Sequence, residues 1–245
     1  MQVSIKSAAA IAAVLAIAAG PAQASVAVSA AASIYDAGNV SPVIGSSLPS
    51  AISILAGTSF LQFSNVTGSD TCAASTSGCI TINGGGNFND ADGNGSAVTS
   101  SNSTGTSSIS GIIAPGAGYL VGLFVAAGGP SGAAPFAPNF LPGGVGFASL
   151  APQLDQTFFI GDGLTGDGTG SVQDFYVPTG AATLYLGISD ACSYSGVPSC
   201  YSDNSGTFTV TVSATAAGPS VPEPQSWALL AGAVALLSLR RRRRG

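Results

Sequence analysis

Residues Thr207–Ser213, which read TFTVTVS, decide the fold class of this chain. Apolar side chains alternate with threonines, so Phe208, Val210 and Val212 would lie on one face of an extended strand and the threonines on the other. A helix brings residues three or four positions apart onto one face, so a period of two does not fit an amphipathic helix. The stretch therefore predicts a half-buried β-strand.

Further runs of this kind occur along the chain, separated by clusters of Gly, Pro, Asn, Asp and Ser. No stretch between Ser25 and Pro219 has a capped, amphipathic helical pattern, so the sequence predicts an all-β antiparallel β-sandwich or jelly roll. The Ser/Gly/Asn-rich stretch Gly84–Gly111 is interpreted as a long, partly disordered loop. The other predicted strands are Ala51–Ala56, Ser59–Val66, Cys79–Ile82, Ser108–Ile113, Tyr119–Ala126, Thr157–Ile160, Val172–Val177 and Thr183–Ile188.

The distribution of charge excludes several classes of function. Charged residues make up 7% of the chain, against about 25% in an ordinary soluble domain. The basic residues are Lys6 and the run Arg240–Arg244, so residues 25–220 hold ten aspartates and no Lys, Arg or His. Such a domain has nothing that neutralises phosphates, which excludes nucleic-acid binding.

The same composition argues against an enzyme. The middle of the chain lacks a histidine base, a Schiff-base lysine and an arginine clamp, and it has no Gly-x-Ser-x-Gly motif. A glycosidase with two catalytic carboxylates is the least implausible chemistry, but the sequence identifies no such pair. We therefore expect a protein without catalytic activity.

Residues 1–24 have the pattern of a secretory signal peptide. Lys6 supplies the positive charge, Ala8–Ala19 is an apolar run, and Ala22-Gln23-Ala24 is a small-residue cleavage motif. Cleavage is predicted between Ala24 and Ser25, after passage through the secretion translocon. A buried N-terminal helix is the alternative interpretation.

Residues 221–245 have the pattern of a second targeting signal. The motif Pro222-Glu223-Pro224 is followed by the apolar stretch Trp227–Leu239 and then by five arginines. A helix of these 13 residues would be about 20 Å long, short of the roughly 30 Å hydrocarbon core. A marginal span beside a distinctive motif predicts processing, with the arginines on the cytoplasmic side. An ordinary tail anchor is the alternative.

These three parts, in this order at the end of the chain, resemble the PEP-CTERM sorting domain of Gram-negative bacteria. The resemblance covers residues 221–245 only. It implies recognition by an exosortase, cleavage near the Pro222-Glu223-Pro224 motif, transient anchoring in the membrane and delivery to the cell surface or outside. Proteins with this domain often accompany exopolysaccharide production.

The four cysteines of this exported chain favour disulfides over free thiols. Three connectivities are possible, and the short separations favour Cys72–Cys79 and Cys192–Cys200. A zinc site is the alternative, but the spacings do not fit and no histidine is present.

Two motifs rich in Gly and Asp have weaker interpretations. Residues 161–166 read GDGLTG and match a dinucleotide-binding fingerprint, but they follow a strand and open no helix, so a turn is favoured. Residues 90–95 read DADGNG and place oxygen side chains as in calcium loops. Ser101 stands where the loop needs Glu, and no helices flank it, so a solvated turn is favoured over a weak calcium loop.

The strongest candidate site combines Ser189-Asp190 with residues 201–208, which read YSDNSGTF. We expect strands Thr183–Ile188 and Thr207–Ser213 to pair antiparallel, which would bring Asp190, Asp203 and Asn204 to one rim. Oxygen ligands without nitrogen or sulfur select calcium over transition metals. The sequence therefore predicts that these three residues bind calcium.

This segment also resembles the calcium-dependent galactophilic lectins of bacteria, which are small jelly-roll sandwiches. Asp190 matches the first calcium ligand of the family, Asp203 and Asn204 match its Asn-Asn pair, and Gly118–Gly122 resembles its middle strand. Asp203 replaces an Asn, the loop is about eight residues longer, and the family's upstream tyrosine ligand has no counterpart. The resemblance implies the fold and the calcium site, but no particular sugar.

Two hypotheses for the function of residues 25–220 follow. The first is a calcium-dependent, lectin-like module that binds carbohydrate or exopolysaccharide in the extracellular matrix. The second is a structural matrix or surface protein in which calcium only holds loops together. A ligand pocket near Asp190 and Asp203 separates the two.

The C-terminal pattern leads to a first test. Because the motif and the arginine cluster indicate processing, we expect mass spectrometry of the secreted protein to find a C-terminus near Pro222–Pro224. Recovery of the full chain from the medium, Arg244 included, would contradict this.

Overall fold

The computed structural model describes residues 22–42, 45–71, 88–93 and 98–216. In these ranges the chain is mostly β-strand with short 3-10 turns, which confirms the all-β prediction. The strands are β1 (Ala22–Ser29), β2 (Ser50–Ser53), β3 (Thr58–Thr71), β4 (Phe88–Asn89), β5 (Ser101–Gly105), β6 (Ser110–Ala114), β7 (Leu120–Ala126), β8 (Ser149–Leu150), β9 (Thr157–Phe159), β10 (Leu164–Gly166), β11 (Thr169–Val172), β12 (Asp174–Tyr176), β13 (Ala181–Ile188), β14 (Ser195–Gly196) and β15 (Gly206–Ala216).

Two large sheets organise the described residues. One has the strand order β1-β15-β3-β12-β8, with β4 pairing on β3, and the other has the order β2-β13-β7-β9. Smaller sheets, β14-β5-β6 and β10-β11, lie beside them. The pairing is antiparallel apart from β12 with β8 and β14 with β5.

The main core is the layer between the two large sheets. The alternating face of β15 is buried there, since Phe208 and Val210 are fully buried and Val212 nearly so. The facing sheet contributes residues such as Leu184 and Phe158 to the same cluster. Contacts between aromatic rings cross the layer, and the ring of Phe158 lies 5.6 Å from that of Phe175 on β12. These contacts establish a β-sandwich.

A second core covers the other face of the β2-β13-β7-β9 sheet. Val121, Leu123 and Val125 of β7 point into a cluster with residues of β6 and the loop before β2, including Ile112 and Ile34. Strand β7 is therefore buried on both faces. This explains why its sequence, LVGLFVA, is continuously apolar and does not alternate.

The interpretation of Gly84–Gly111 as one long loop was wrong in the part that the structure describes. Strands β4 and β5 and the start of β6 lie within that range. Strand β5 reads SNSTG, and Ser101 and Ser103 are its buried residues. Small hydroxyl side chains fill the layer beside β6, so the strand lacks the apolar alternation that sequence analysis relies on.

The predicted signal-peptide cleavage site lies inside β1. That strand pairs with β15 along its whole length, from Ala22 opposite Ala214 to Ser29 opposite Thr207. Cleavage between Ala24 and Ser25 would leave Ser25–Ser29 paired. Residues 1–21, Cys72, Cys79, the predicted strand Cys79–Ile82 and the sorting segment lie outside the described residues.

The close packing at Gly122 gives a test of the sandwich. A Cβ added there would overlap the ring of Phe158 and lie 2.9 Å from Cδ1 of Ile160. Because overpacking forces core side chains to shift, Gly122→Ala is expected to lower the free energy of unfolding by about 1–3 kcal/mol.

Chemical denaturation measures this change, and Gly143→Ala is the matched control. Gly143 is exposed, has no atom within 4 Å of the added Cβ, and needs no left-handed backbone. The control should stay within about 0.5 kcal/mol of the unaltered chain. Equal stability of the two variants would contradict the packing described for β7.

Candidate functional site

The loop from Ser189 to Ser205 connects β13 to β15 and carries the predicted site. The two strands do not pair, so that expectation was wrong: β13 lies between β2 and β7, whereas β15 lies between β1 and β3. The loop therefore crosses from one large sheet to the other. Each strand forms its backbone hydrogen bonds within its own sheet. The apolar residues of β13 and β15 instead belong to the same core cluster between the sheets.

The predicted ligands nevertheless converge. The Asn204 side chain donates from Nδ2 to Oδ2 of Asp190 at 3.0 Å and to the carbonyl of Ala30 at 3.3 Å. Asp203 is exposed beside them. We call Asp190, Asp203 and Asn204 the acidic rim.

Two contacts hold the loop segment between Asp190 and Asn204 in place. Cys192 and Cys200 form the predicted disulfide, with their Cα atoms 5.2 Å apart. Beneath it, the buried hydroxyl of Tyr201 accepts a hydrogen bond from the backbone N–H of Asp190 at 3.1 Å. A covalent bridge and a buried tyrosine thus fix where Asp190 leaves the sheet.

A layer of buried hydroxyl groups supports the rim from below. The Tyr35 hydroxyl lies 2.8 Å from Oγ of Ser189, the residue before Asp190, and Ser101 donates to the Tyr119 hydroxyl at 2.9 Å. Burial raises the pKa of Tyr35 to about 12, so this hydroxyl stays protonated at any physiological pH. These groups position the backbone and take no part in charge chemistry.

Asp190 is a partly buried carboxylate. Burial raises its pKa to about 6, and repulsion from Asp203 adds to the rise. Hydrogen bonds from the Ala191 N–H, at 2.7 Å to Oδ1, and from Asn204 act in the opposite direction. Each carboxylate oxygen accepts one such bond, which leaves lone pairs for a further ligand.

Two buried residues that sequence analysis missed lie near the rim. Asp70 of β3 is 1% exposed and Asn89 of β4 is 3% exposed. The Oδ1 atoms of both have no hydrogen-bond partner among the described residues. Burial raises the pKa of Asp70 to about 9, and repulsion from Asp190 and Asp203 adds to the rise. No local pattern identifies these residues, because they meet only through strand pairing.

A second acidic cluster lies at the turn after β9. Carboxylate oxygens of Asp92, Asp162 and Asp167 lie within 4.8 Å of one another. Asp92 Oδ1 accepts a hydrogen bond from the Asp162 N–H at 3.0 Å, and burial raises the pKa of Asp92 to about 7. Asp92 is only 9% exposed, so the interpretation of residues 90–95 as a solvated turn was wrong at this residue.

The first half of the dinucleotide fingerprint, residues 161–163, is a turn, as predicted, whereas the second half, Leu164–Gly166, is strand β10. The turn connects β9 to the β10-β11 hairpin, and Asp162 accepts hydrogen bonds from the N–H groups of Leu164 and Gly168. Asp162 therefore accepts hydrogen bonds from backbone donors at both ends of β10.

No protein-family model, no curated protein and no solved structure matches this chain. Within the described ranges, no helix is long and apolar enough to cross a membrane.

The buried aspartates predict how stability depends on pH. The pKa values of Asp70, Asp92 and Asp190 are all raised, so the folded chain binds more protons than the unfolded chain between about pH 4 and pH 9. Stability is therefore greatest below the unfolded pKa values and falls as the pH rises through the folded ones. With a chelator present, the melting temperature should fall from pH 5 to pH 8.

Scanning calorimetry across this range tests the prediction, with two variants for comparison. Asp70→Asn should flatten the decline, since it removes the group with the largest pKa shift of the three. Asp174→Asn should keep the decline, because Asp174 is only partly buried and accepts a hydrogen bond from Gln62 at 2.8 Å. A melting temperature that rises towards pH 8 in chelator would contradict the assignment.

Proposed function

We propose that this chain is an exported, exosortase-processed protein of the cell surface or extracellular matrix, whose β-sandwich binds carbohydrate through calcium at the acidic rim. The observation that carries the proposal is the contact of Asn204 with Asp190 at 3.0 Å beside the exposed Asp203. Residues from the two ends of a long loop meet there, and all of them offer oxygen atoms.

The chemistry of the rim supports calcium as the bound ion. Carboxylate and amide oxygens are the ligands of hard cations, and the rim has no nitrogen or sulfur ligand that would favour zinc or copper. No Lys, Arg or His in residues 25–220 competes for the carboxylates. The hydrogen bonds that Asn204 donates hold its amide nitrogen towards Asp190 and Ala30, which leaves its oxygen as the ligand.

The position of the rim supports a carbohydrate ligand. Asp203 is exposed and Asn204 is half-buried, so an ion held there keeps one side open to solvent. When bound, calcium supplies open coordination positions that sugar hydroxyls can fill. Asp190, tied to Tyr201 and to its own loop, would hold the ion in place, while Asp203 and Asn204 would orient it. The jelly-roll topology and the absence of catalysis belong to the same proposal.

A purely structural role is the second candidate function. It is favoured by the cluster of Asp92, Asp162 and Asp167, which joins two loops distant in sequence. In that case calcium would only stabilise loops, and no sugar would bind at the rim. The C-terminal sorting segment is compatible with both roles.

Thermal melting tests the calcium part of the proposal. Calcium that binds only the folded chain stabilises it by RT ln(1 + [L]/Kd), which is about 2.7 kcal/mol at a hundredfold excess over Kd. Millimolar calcium should therefore raise the melting temperature, and Asp203→Ala should abolish the increase.

Asp92→Asn is the control, since it alters the other acidic cluster and should keep most of the increase. A melting temperature that does not respond to calcium would remove the proposed site and the lectin-like function together.

A glycan array separates the two candidate functions. Binding of the purified protein to particular glycans, lost in chelator and in Asp203→Ala, is expected for the lectin-like module. A calcium-stabilised protein that retains no glycan under either condition would favour the structural role.

A further inference from the structure

A pair of buried oxygen atoms without partners lies close to the acidic rim. Asp70 and Asn89 stand directly opposite each other in the pairing of β3 with β4, and less than one-twentieth of the surface of each residue is exposed. The Oδ1 atoms of both have no hydrogen-bond partner within the described ranges. Such atoms are rare in folded proteins, because burial removes their hydrogen bonds to water.

Strand register connects this buried pair to the rim. Asp70 also stands opposite Gly206 of β15, two residues after Asn204. Neighbouring strands lie about 4.8 Å apart, so Asn89, Asp70 and Gly206 form one row across three strands that ends at the base of the rim. Repulsion from Asp190 and Asp203 also contributes to the raised pKa of Asp70.

Among the described residues, the surroundings of the pair offer no protein cation. Gly118 (φ +69°) passes so close that an added Cβ would lie 2.5 Å from Asp70 Oδ2 and 2.6 Å from Asn89 Nδ2. Residues 25–220 hold no Lys, Arg or His. An ionised Asp70 therefore has no compensating charge within residues 25–220, and a small cation from solvent would supply one.

We propose that Asp70 and Asn89 are the inner ligands of the cation site whose outer ligands form the acidic rim, an inference that rests on the proposed function. Calcium takes six to eight oxygen ligands, and the three side chains of the rim supply too few of them. The buried pair adds a carboxylate and an amide oxygen on the protein side. The solvent side of the ion then remains open for a ligand.

The alternative is a buried aspartic acid that stays protonated and binds nothing. A neutral Asp70 is nearly isosteric with Asn, so Asp70→Asn would then leave calcium binding unchanged. The two interpretations therefore differ in the response of calcium affinity to a conservative substitution.

Titration calorimetry with calcium chloride on the purified, chelator-treated protein makes the distinction. We expect Asp70→Asn to weaken the calcium Kd by roughly tenfold or more, since affinity depends on the number of charged ligands. Asp155→Asn is the matched control and should bind within about twofold of the unaltered protein. Asp155 is also buried, at 8% exposure, with an unpartnered Oδ1, but its backbone N–H bonds to Phe124 near the far end of β7.

The variant Asn89→Asp tests the same pair by adding a carboxylate, whereas Asp70→Asn removes one. A second buried carboxylate should lower the melting temperature in chelator, because the two charges repel, and should enlarge the increase that calcium produces. This variant is informative even where Asp70→Asn folds poorly. A calcium increase no larger than that of the unaltered protein would overturn the proposal.

The outcomes separate this inference from the proposed function. If Asp70→Asn keeps its calcium affinity and Asp190→Asn loses it, the rim binds calcium and the assignment of Asp70 and Asn89 as ligands is overturned. If Asp70→Asn loses calcium affinity while Asp190→Asn and Asp203→Ala keep it, the buried pair binds calcium and the rim is not part of the site. An unaltered protein that binds no calcium would remove both.

Discussion

The site depends on one constraint: residues 25–220 hold ten aspartates, and no lysine, arginine or histidine in that segment can pair with them. The chain meets this constraint mainly with its own donors. Asp36 accepts hydrogen bonds from Asn39 and Ser46, Asp162 from two backbone N–H groups at the ends of β10, and Asp190 from Ala191 and Asn204. Neutral donors lower the cost of a buried charge but do not remove it, and hence the pKa values of Asp70, Asp92 and Asp190 remain raised.

The same constraint explains where the acidic clusters lie. Both lie beyond the ends of strands: at the rim, Asp190 and Asn204 come from the two ends of one loop, whereas Asp92 meets Asp162 and Asp167 from a loop distant in sequence. Carboxylates brought together without basic partners repel one another in the unliganded protein. Under the proposed function, a cation from solvent would supply the compensating charge.

The strand at the centre of the scaffold, β7, is buried on both faces. Strand β7 packs on the main core through Leu120 and Phe124 and on the second core through Val121 and Leu123. Gly122 lies on the same strand, where Phe158 leaves no space for a side chain. The rim lies on the loop that leaves β13, the strand paired with β7, and the disulfide restrains that loop.

The sequence by itself determined the local features. The alternation in Thr207–Ser213, the apolar run of β7 and the short spacing of Cys192 and Cys200 each depend on neighbours along the chain, and the structure confirms all three. It also predicted that Asp190 and Asn204 meet, although the strand pairing on which that prediction rested is absent. Tertiary structure alone decided which strands are neighbours: β13 and β15 are consecutive large strands, yet they lie in different sheets. It also decided the pairing of Asp70 with Asn89 and the contact of Asp92 with Asp162, which is 70 residues further along. These contacts depend on strand register and on the burial of whole sheets, and no local pattern of residue types encodes either of them.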